Sequence, residues 1–215
     1  MIRPGVRTVV HLVRHGEVEN PTGVLYGRLP GFRLSEHGLA DAEHAADFLA
    51  GRDVTHVVAS PLERAQQTAV PIGDRHGLPV GSDPRLIESA NAFEGSAVEA
   101  GPKALRHPAL WRHLWNPFRP SWGEAYVDVS ARVLDAVDDA RDAAAGHEAV
   151  CVSHQLPIEV TRRRVQGERL WHRPDRRHCA LGSVTSLVFD GDTFTHADYA
   201  EPSGPGRKGA GKVGA

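Results

Sequence analysis

Four residues that could bind and attack a phosphate stand where buried strands of this 215-residue chain would end. Arg14 and His15 lie in Leu12-Val13-Arg14-His15-Gly16-Glu17, directly after the apolar run Thr8-Val9-Val10-His11-Leu12-Val13. A strand that stops there leaves a guanidinium and an imidazole at its C-terminal edge, and glycine lets the backbone turn away. Ligands of open α/β sheets bind at that edge. Arg64 lies in Ala59-Ser60-Pro61-Leu62-Glu63-Arg64-Ala65, in the first turn of an expected helix, where a cation opposes the macrodipole. A helix N-terminus together with an arginine suits a dianionic phosphate. Taken alone, Arg64 reads more readily as a surface arginine paired with Glu63 than as a phosphate ligand. His154 closes a third apolar run, Val150-Cys151-Val152-Ser153-His154-Gln155. If the three strands are sheet neighbours, Arg14, His15, Arg64 and His154 converge.

The elements that must position them follow from periodicity. Apolar, β-branched runs at 8–13, 55–59, 149–153 and 184–189 read as buried strands. Residues 35–50 read as a helix with Leu39, Ala42, Ala46 and Leu49 inward, Ser35 as N-cap and Gly51 just past the end. Ser60-Pro61-Leu62-Glu63 combines a capping box with proline at the first helical position, and Ala65, Ala69 and Ile72 would face the core. A second capping box, Ser121-Trp122-Gly123-Glu124, predicts a helix reaching about Ala145. This alternation predicts an α/β fold, a three-layer α/β/α arrangement with a mainly parallel central sheet. One domain over residues 1–200 is expected. Residues 86–121 carry four prolines and two of the four tryptophans, with a third, Trp122, at the border, and read either as a lid over the C-terminal edge or as a structural excursion. The Gly- and Pro-rich stretch 201–215 is expected to be disordered.

Composition narrows the function classes. Apolar content of 40%, charged content of 24% and a net charge of −2 describe a soluble globular chain without a global pull toward nucleic acid or membranes. No run approaches membrane-span length, and Met-Ile-Arg-Pro-Gly lacks the apolar stretch of a signal peptide, so the cytoplasm is expected. Two cysteines make no disulfide framework, and Cys151 reads as a reduced core residue. The other histidines, such as His44, His56 and His113, lack metal-ligand spacing. The basic stretch 162–178 is either a solvated face or an extension of the pocket for a polyanionic substrate.

These pieces, taken in order, resemble the histidine phosphatase superfamily, also called phosphoglycerate-mutase-like. The likeness rests on Leu12-Val13-Arg14-His15-Gly16-Glu17 with Asn20, Gly27-Arg28, Leu34-Ser35-Glu36-His37-Gly38, Ser60-Pro61-Leu62-Glu63-Arg64-Ala65 with Thr68-Ala69, Leu86-Ile87-Glu88, Gly123-Glu124 and Val152-Ser153-His154. The resemblance implies that His15 is a nucleophile forming a phosphohistidine. It implies that Arg14, Arg64 and His154 hold the phosphoryl oxygens, and that Glu88 is the proton donor and then the base. Asn20 and Arg28 would contact phosphate or substrate. No cofactor or metal is implied, and the expected partner is a small phosphorylated substrate.

Two departures bear on these roles. Gln155 stands where family members commonly have glycine, adding an amide near the pocket as a substrate-binding candidate. The loop after Glu88 is shortened, which makes Glu94 a rival for the acid. The residues admit a metal-independent phosphatase, a phosphoglycerate-mutase-type phosphoryl transfer, or a non-catalytic phospho-ligand module.

Overall fold

The computed structural model describes residues 4–91, 94–95, 123–173 and 176–204. Along the chain these form β1 (Arg7–Arg14), α1 (Glu36–Leu49), β2 (Val54–Ala59), α2 (Glu63–His76), β3 (Gly81–Ser82), α3 (Tyr126–Ala143), β4 (Glu148–Ser153), α4 (Gln155–Val165), β5 (Val184–Asp190) and β6 (Thr193–Ala200). The sheet order is β3-β2-β4-β1-β5-β6. The first four of these run parallel, β5 is antiparallel to β1, and β6 is antiparallel to β5.

Handedness explains the three layers. The chain moves outward from β1 to β2 to β3, then returns inward to β4. Right-handed crossovers therefore lay the outward helices on one face and the returning helix on the other. Ala45, Ala46 and Leu49 of α1 and Ala65, Ala69 and Ile72 of α2 pack on Val13, Val57, Val150 and Val152. Val129, Val133 and Val137 of α3 and Ile158 and Val160 of α4 pack on Val10, Leu12, Val58 and Cys151. Neighbouring strand residues thus feed opposite cores, as a sheet covered on both faces requires. Leu12 and Ile72 are fully buried, and truncating either to alanine would cost about 2–5 kcal/mol. Cys151 is reduced and buried, with burial pushing its thiol up to about 12.

Four local expectations are corrected. Leu39 is 49% exposed. The inward face of α1 is Gly38, Asp41, Ala42, Ala45, Ala46 and Leu49, with Asp41 accepting hydrogen bonds from the Glu17 N–H and the Ser203 hydroxyl. Helix α2 begins at Glu63 with Leu62 as a bare N-cap, two residues later than the capping box predicts. Helix α3 begins at Tyr126 and ends at Ala143, because Glu124 lies outside it and is held by Arg28 and Arg132. The hairpin partner β6 has no apolar alternation to announce it; it is an edge strand with no buried residue. Residues 92–93 and 96–121 of the expected insertion, and 205–215 of the expected tail, lie outside the described residues.

Candidate active site

Strand register carries the candidate residues to one edge. Arg14 is paired with Ser153, and Ala59 with Val152, so β1, β4 and β2 end side by side. The His15 N–H donates to the Ser153 carbonyl at 3.1 Å and the Ser60 N–H to the Val152 carbonyl at 2.9 Å. Arg14, His15, Arg64, Glu88 and His154 are all buried there.

Gly16 and Gly38 fix how the chain leaves β1. Gly16 has no positive φ, so a left-handed turn is not what it supplies. A Cβ on Gly16 would overlap the Gly38 carbonyl, and one on Gly38 would overlap the Glu17 carbonyl. The two motifs meet backbone to backbone, and only glycine permits that approach. The Ser35 hydroxyl, which caps α1 through the Gly38 N–H at 3.1 Å, donates to the Glu17 carboxylate at 2.8 Å.

His15 is locked by its own loop. Its Nδ1 lies 2.8 Å from the Gly16 carbonyl, which can only accept, so Nδ1 carries the proton and Nε2 keeps its lone pair. Arg64 Nε sits 3.4 Å from that Nε2. Burial first, then Arg64 and Arg14, hold the His15 pKa well below the ordinary histidine range. The imidazole is neutral.

The two guanidiniums are buried on carbonyls. Arg14 donates through Nη1 to the Cys179 carbonyl at 2.7 Å, and its buried Nε has no hydrogen-bond partner. Arg64 is 1% exposed. It donates through Nη2 to the Gly27 carbonyl at 2.6 Å and packs over the Tyr26 ring at 4.7 Å. The Glu63 partner considered for Arg64 pairs with Arg33 instead, at 3.2 Å. Among the described residues neither Arg14 nor Arg64 forms an ion pair. Buried cations without counterions are costly, so this edge favours an anion.

His154, the N-cap residue of α4, lies with its ring centroid 5.1 Å from that of His15. Burial, with Arg64 second, also keeps it neutral. Its Nε2 is 2.7 Å from the Ser60 hydroxyl, and its buried Nδ1 is unpartnered. The Leu62 N–H donates to the same hydroxyl at 3.4 Å. The hydroxyl proton can then go to Nε2, which leaves Nδ1 as a free donor. This is why the capping box fails: Ser60 serves His154.

Glu88 is 1% exposed. Its Oε1 accepts the Ser89 N–H at 2.8 Å, and Oε2 has no partner. Burial raises its pKa above the usual carboxylate range, against the Ser89 hydrogen bond and the pull of Arg64, Arg177 and Arg14. Glu94 is half-buried and accepts the Asn91 N–H at 3.2 Å. It lies against Gly27, and its charge reaches Arg64.

The three residues expected to contact substrate each hold protein partners. Asn20 closes its own loop, donating to the Val24 carbonyl at 2.8 Å and accepting the Val24 N–H at 3.2 Å. Arg28 supports the acid from behind: Nε reaches the Glu88 carbonyl at 2.6 Å and Nη2 the Glu124 carboxylate at 2.8 Å. Gln155 accepts from Arg177 at 3.0 Å, and its amide nitrogen is 3.5 Å from the Cys179 carbonyl. Sequence reasoning missed Ser60 as the partner of His154, Tyr26 beneath Arg64, and Arg132, which reaches the Glu88 carbonyl at 3.4 Å. Ser60 had a signal, since it follows the end of β2 as His15 follows β1.

Comparisons with known proteins show the family. The family model of the histidine phosphatase superfamily (branch 1) matches residues 10–202. An uncharacterized protein of Mycobacterium tuberculosis is 60% identical over 196 residues, covering 91% of this chain and 97% of that protein. A probable phosphoglycerate mutase of Yersinia pestis is 30% identical over 155 residues, 69% of this chain and 70% of its own. The native structure of a mycobacterial glucosyl-3-phosphoglycerate phosphatase superposes with a TM-score of 0.72 at 25% identity, covering 91% of this chain and 98% of that one. With this match across nearly the whole chain, the protein belongs to the histidine phosphatase superfamily.

Proposed function

We propose that this protein hydrolyses phosphate monoesters, without a metal, through a phosphohistidine at His15. The observation that carries the reading is the locked imidazole: Nδ1–H spent on Gly16, and Nε2 unprotonated and accepting from Arg64 Nε. In the first step Nε2 attacks phosphorus as the ester P–O bond breaks, and the Glu88 carboxyl gives its proton to the departing alkoxide. Arg14 Nε, the Arg64 guanidinium and His154 Nδ1–H hold the equatorial oxygens, whose charge the transition state spreads. In the second step the Glu88 carboxylate takes a proton from water, the water oxygen bonds to phosphorus, and the P–N bond breaks. Nε2 recovers its lone pair and Glu88 its proton.

Burial is what equips each group. It keeps His15 unprotonated for attack and keeps Glu88 protonated into a higher pH range than an ordinary carboxyl. Glu88, rather than Glu94, takes the acid role because it combines burial with an unpartnered Oε2. The same feature argues against a non-catalytic module, which has no use for a desolvated acid.

The relative named as a mutase supports a second reading, in which the phosphoryl group returns to another hydroxyl. Both reactions use the same five side chains and differ only in what meets the phosphoenzyme. Release of inorganic phosphate from an aryl phosphate, lost in His15→Ala, supports hydrolysis; isomerised ester without free phosphate supports the mutase.

A further inference from the structure

One arginine of the basic stretch stands apart from its neighbours. Arg162 and Arg163 both bind the fully buried carboxylate of Glu159, at 3.0 and 2.6 Å, and both also meet Glu168. Their charge is spent where they stand. Arg177 has no carboxylate partner among the described residues and is held by two neutral groups instead. Its Nη1 donates to Gln155 Oε1 at 3.0 Å, and its Nε to His172 Nε2 at 3.0 Å. His172 can accept because its Nδ1–H is donated to the Leu170 carbonyl at 2.7 Å. Its ring stacks on Tyr126 with centroids 5.6 Å apart, and burial holds its pKa below the ordinary value. The clamp fixes the guanidinium without discharging it, leaving Nη2 unpartnered among the described residues.

The clamp adjoins the phosphate cage. Gln155 directly follows His154, and its amide nitrogen shares the Cys179 carbonyl with Arg14. Arg14 and Arg177 are thus joined through one carbonyl and one amide. The charge of Arg177 also reaches the Glu88 carboxyl, where its pull outranks that of Arg14. Glu88 marks the side on which the alcohol departs. A guanidinium joined to the cage through Gln155 and the Cys179 carbonyl, with its charge felt at Glu88, can meet the leaving half of the ester. A fixed side chain loses little freedom on binding, so its contact is converted into affinity more fully than that of a mobile arginine.

We infer that Arg177 is a specificity-determining residue that binds a second anionic group, carboxylate or phosphate, on the alcohol half of the substrate, with Gln155 and His172 as its positioning residues. This rests on the proposed chemistry at His15. Three probes share one phosphate ester on a three-carbon alcohol: glycerol phosphate, 3-phosphoglycerate and glycerol bisphosphate. Their kcat/KM values are measured from phosphate release for the wild type, Arg177→Gln, Arg177→Lys and Gln155→Ala. The expected result is that the wild type prefers a doubly anionic probe over glycerol phosphate. Arg177→Gln cuts that preference about tenfold or more, through KM. Arg177→Lys keeps part of it, and Gln155→Ala lowers it as well. Which probe carries the preference distinguishes a carboxylate from a second phosphate.

The same three ligands titrated calorimetrically into His15→Ala give the preference without turnover. Absent hydrolysis would therefore overturn the reaction while the affinities still decide the role of Arg177. No preference in the wild type overturns the inference. So does a preference that survives Arg177→Gln, or an equal loss on all three probes, which would mean that Arg177 acts only through Glu88 or the fold.

Discussion

Arg64 Nε lies 3.4 Å from His15 Nε2, so a permanent cation rests against the one imidazole nitrogen that carries no proton. Burial first, and then the two cations that protonation would set face to face, keep the ring neutral. An arriving phosphoryl group finds the lone pair and the guanidinium on the same spot. Nucleophile and charge stabiliser are therefore oriented by each other before any substrate binds.

Removing Arg64 should separate its two effects. Arg64→Ala is expected to lower kcat by about 10²- to 10³-fold, as the loss of one preorganised donor does. Arg64→Lys should recover little, because a lysine cannot serve His15 and the Gly27 carbonyl together. In an NMR titration of Arg64→Ala, the His15 pKa should rise yet stay below the ordinary range, since burial is the larger cause. An unmoved His15 resonance would show that the guanidinium does not act on the ring.

Glu88 should trade stability for activity. Its carboxyl pKa is raised in the folded protein, so the folded state holds this proton more tightly than the unfolded chain. Its contribution to stability is then fully present below the ordinary glutamate value of about 4.3 and is lost as pH rises through the folded value. Glu88→Gln is expected to raise the melting temperature at neutral pH, and the gain should vanish in acid below about pH 4. The same variant should lose about 10²- to 10⁴-fold in kcat with poor leaving groups. A variant less stable than the wild type at neutral pH would mean that the carboxylate is better satisfied than its unpartnered Oε2 indicates.

Ser60 should act through His154. Ser60→Ala removes the group that engages His154 Nε2 and frees the ring to take the other tautomer. The expected loss in kcat lies between about 10- and 10⁴-fold, the range over which tautomer errors act. Nitrogen NMR should show the His154 proton on Nδ1 in the wild type. Finding it on Nε2 there would reverse the assigned roles of serine and histidine.

Gly38 should tolerate no side chain. A Cβ there collides with the Glu17 carbonyl, and Gly38→Ala is expected to destabilise the fold by about 1–3 kcal/mol. Gly51 meets nothing within 4 Å and has no positive φ. Gly51→Ala is thus the control, expected to be neutral or stabilising by up to about 1 kcal/mol. Denaturant midpoints for the two variants give the comparison, and equal values would contradict the backbone contact.

Much of the fold was legible because the buried strands are continuous apolar runs. β1, β2, β4 and β5 fall within a residue or two of their predicted ends, and with them the convergence of Arg14, His15, Arg64 and His154. The rest depended on partners distant in sequence. Leu39 matched the helical period, but the inward face of α1, with Ala42, Ala46 and Leu49 as expected, takes in Asp41, tied to Glu17 and Ser203, and leaves Leu39 outside. Ser60 and Glu124 looked like caps until His154, and Arg28 with Arg132, claimed them. The hold of Arg28 on the Glu88 carbonyl and on Glu124 was equally invisible in the sequence. Arg177 was one arginine among many, and only its clamp of Gln155 and His172 distinguishes it.

The most direct measurement is to trap the phosphorylated enzyme. The protein is mixed with a phosphate monoester, quenched in base, and the mass of the His15 peptide is compared with that from acid quenching and from His15→Ala. The geometry of His15 leads to one added phosphoryl group on that peptide, stable in base, lost in acid and absent from His15→Ala. Phosphate release with the peptide unmodified under every quench and at every mixing time, or with equal turnover by His15→Ala, would contradict a phosphohistidine at this residue.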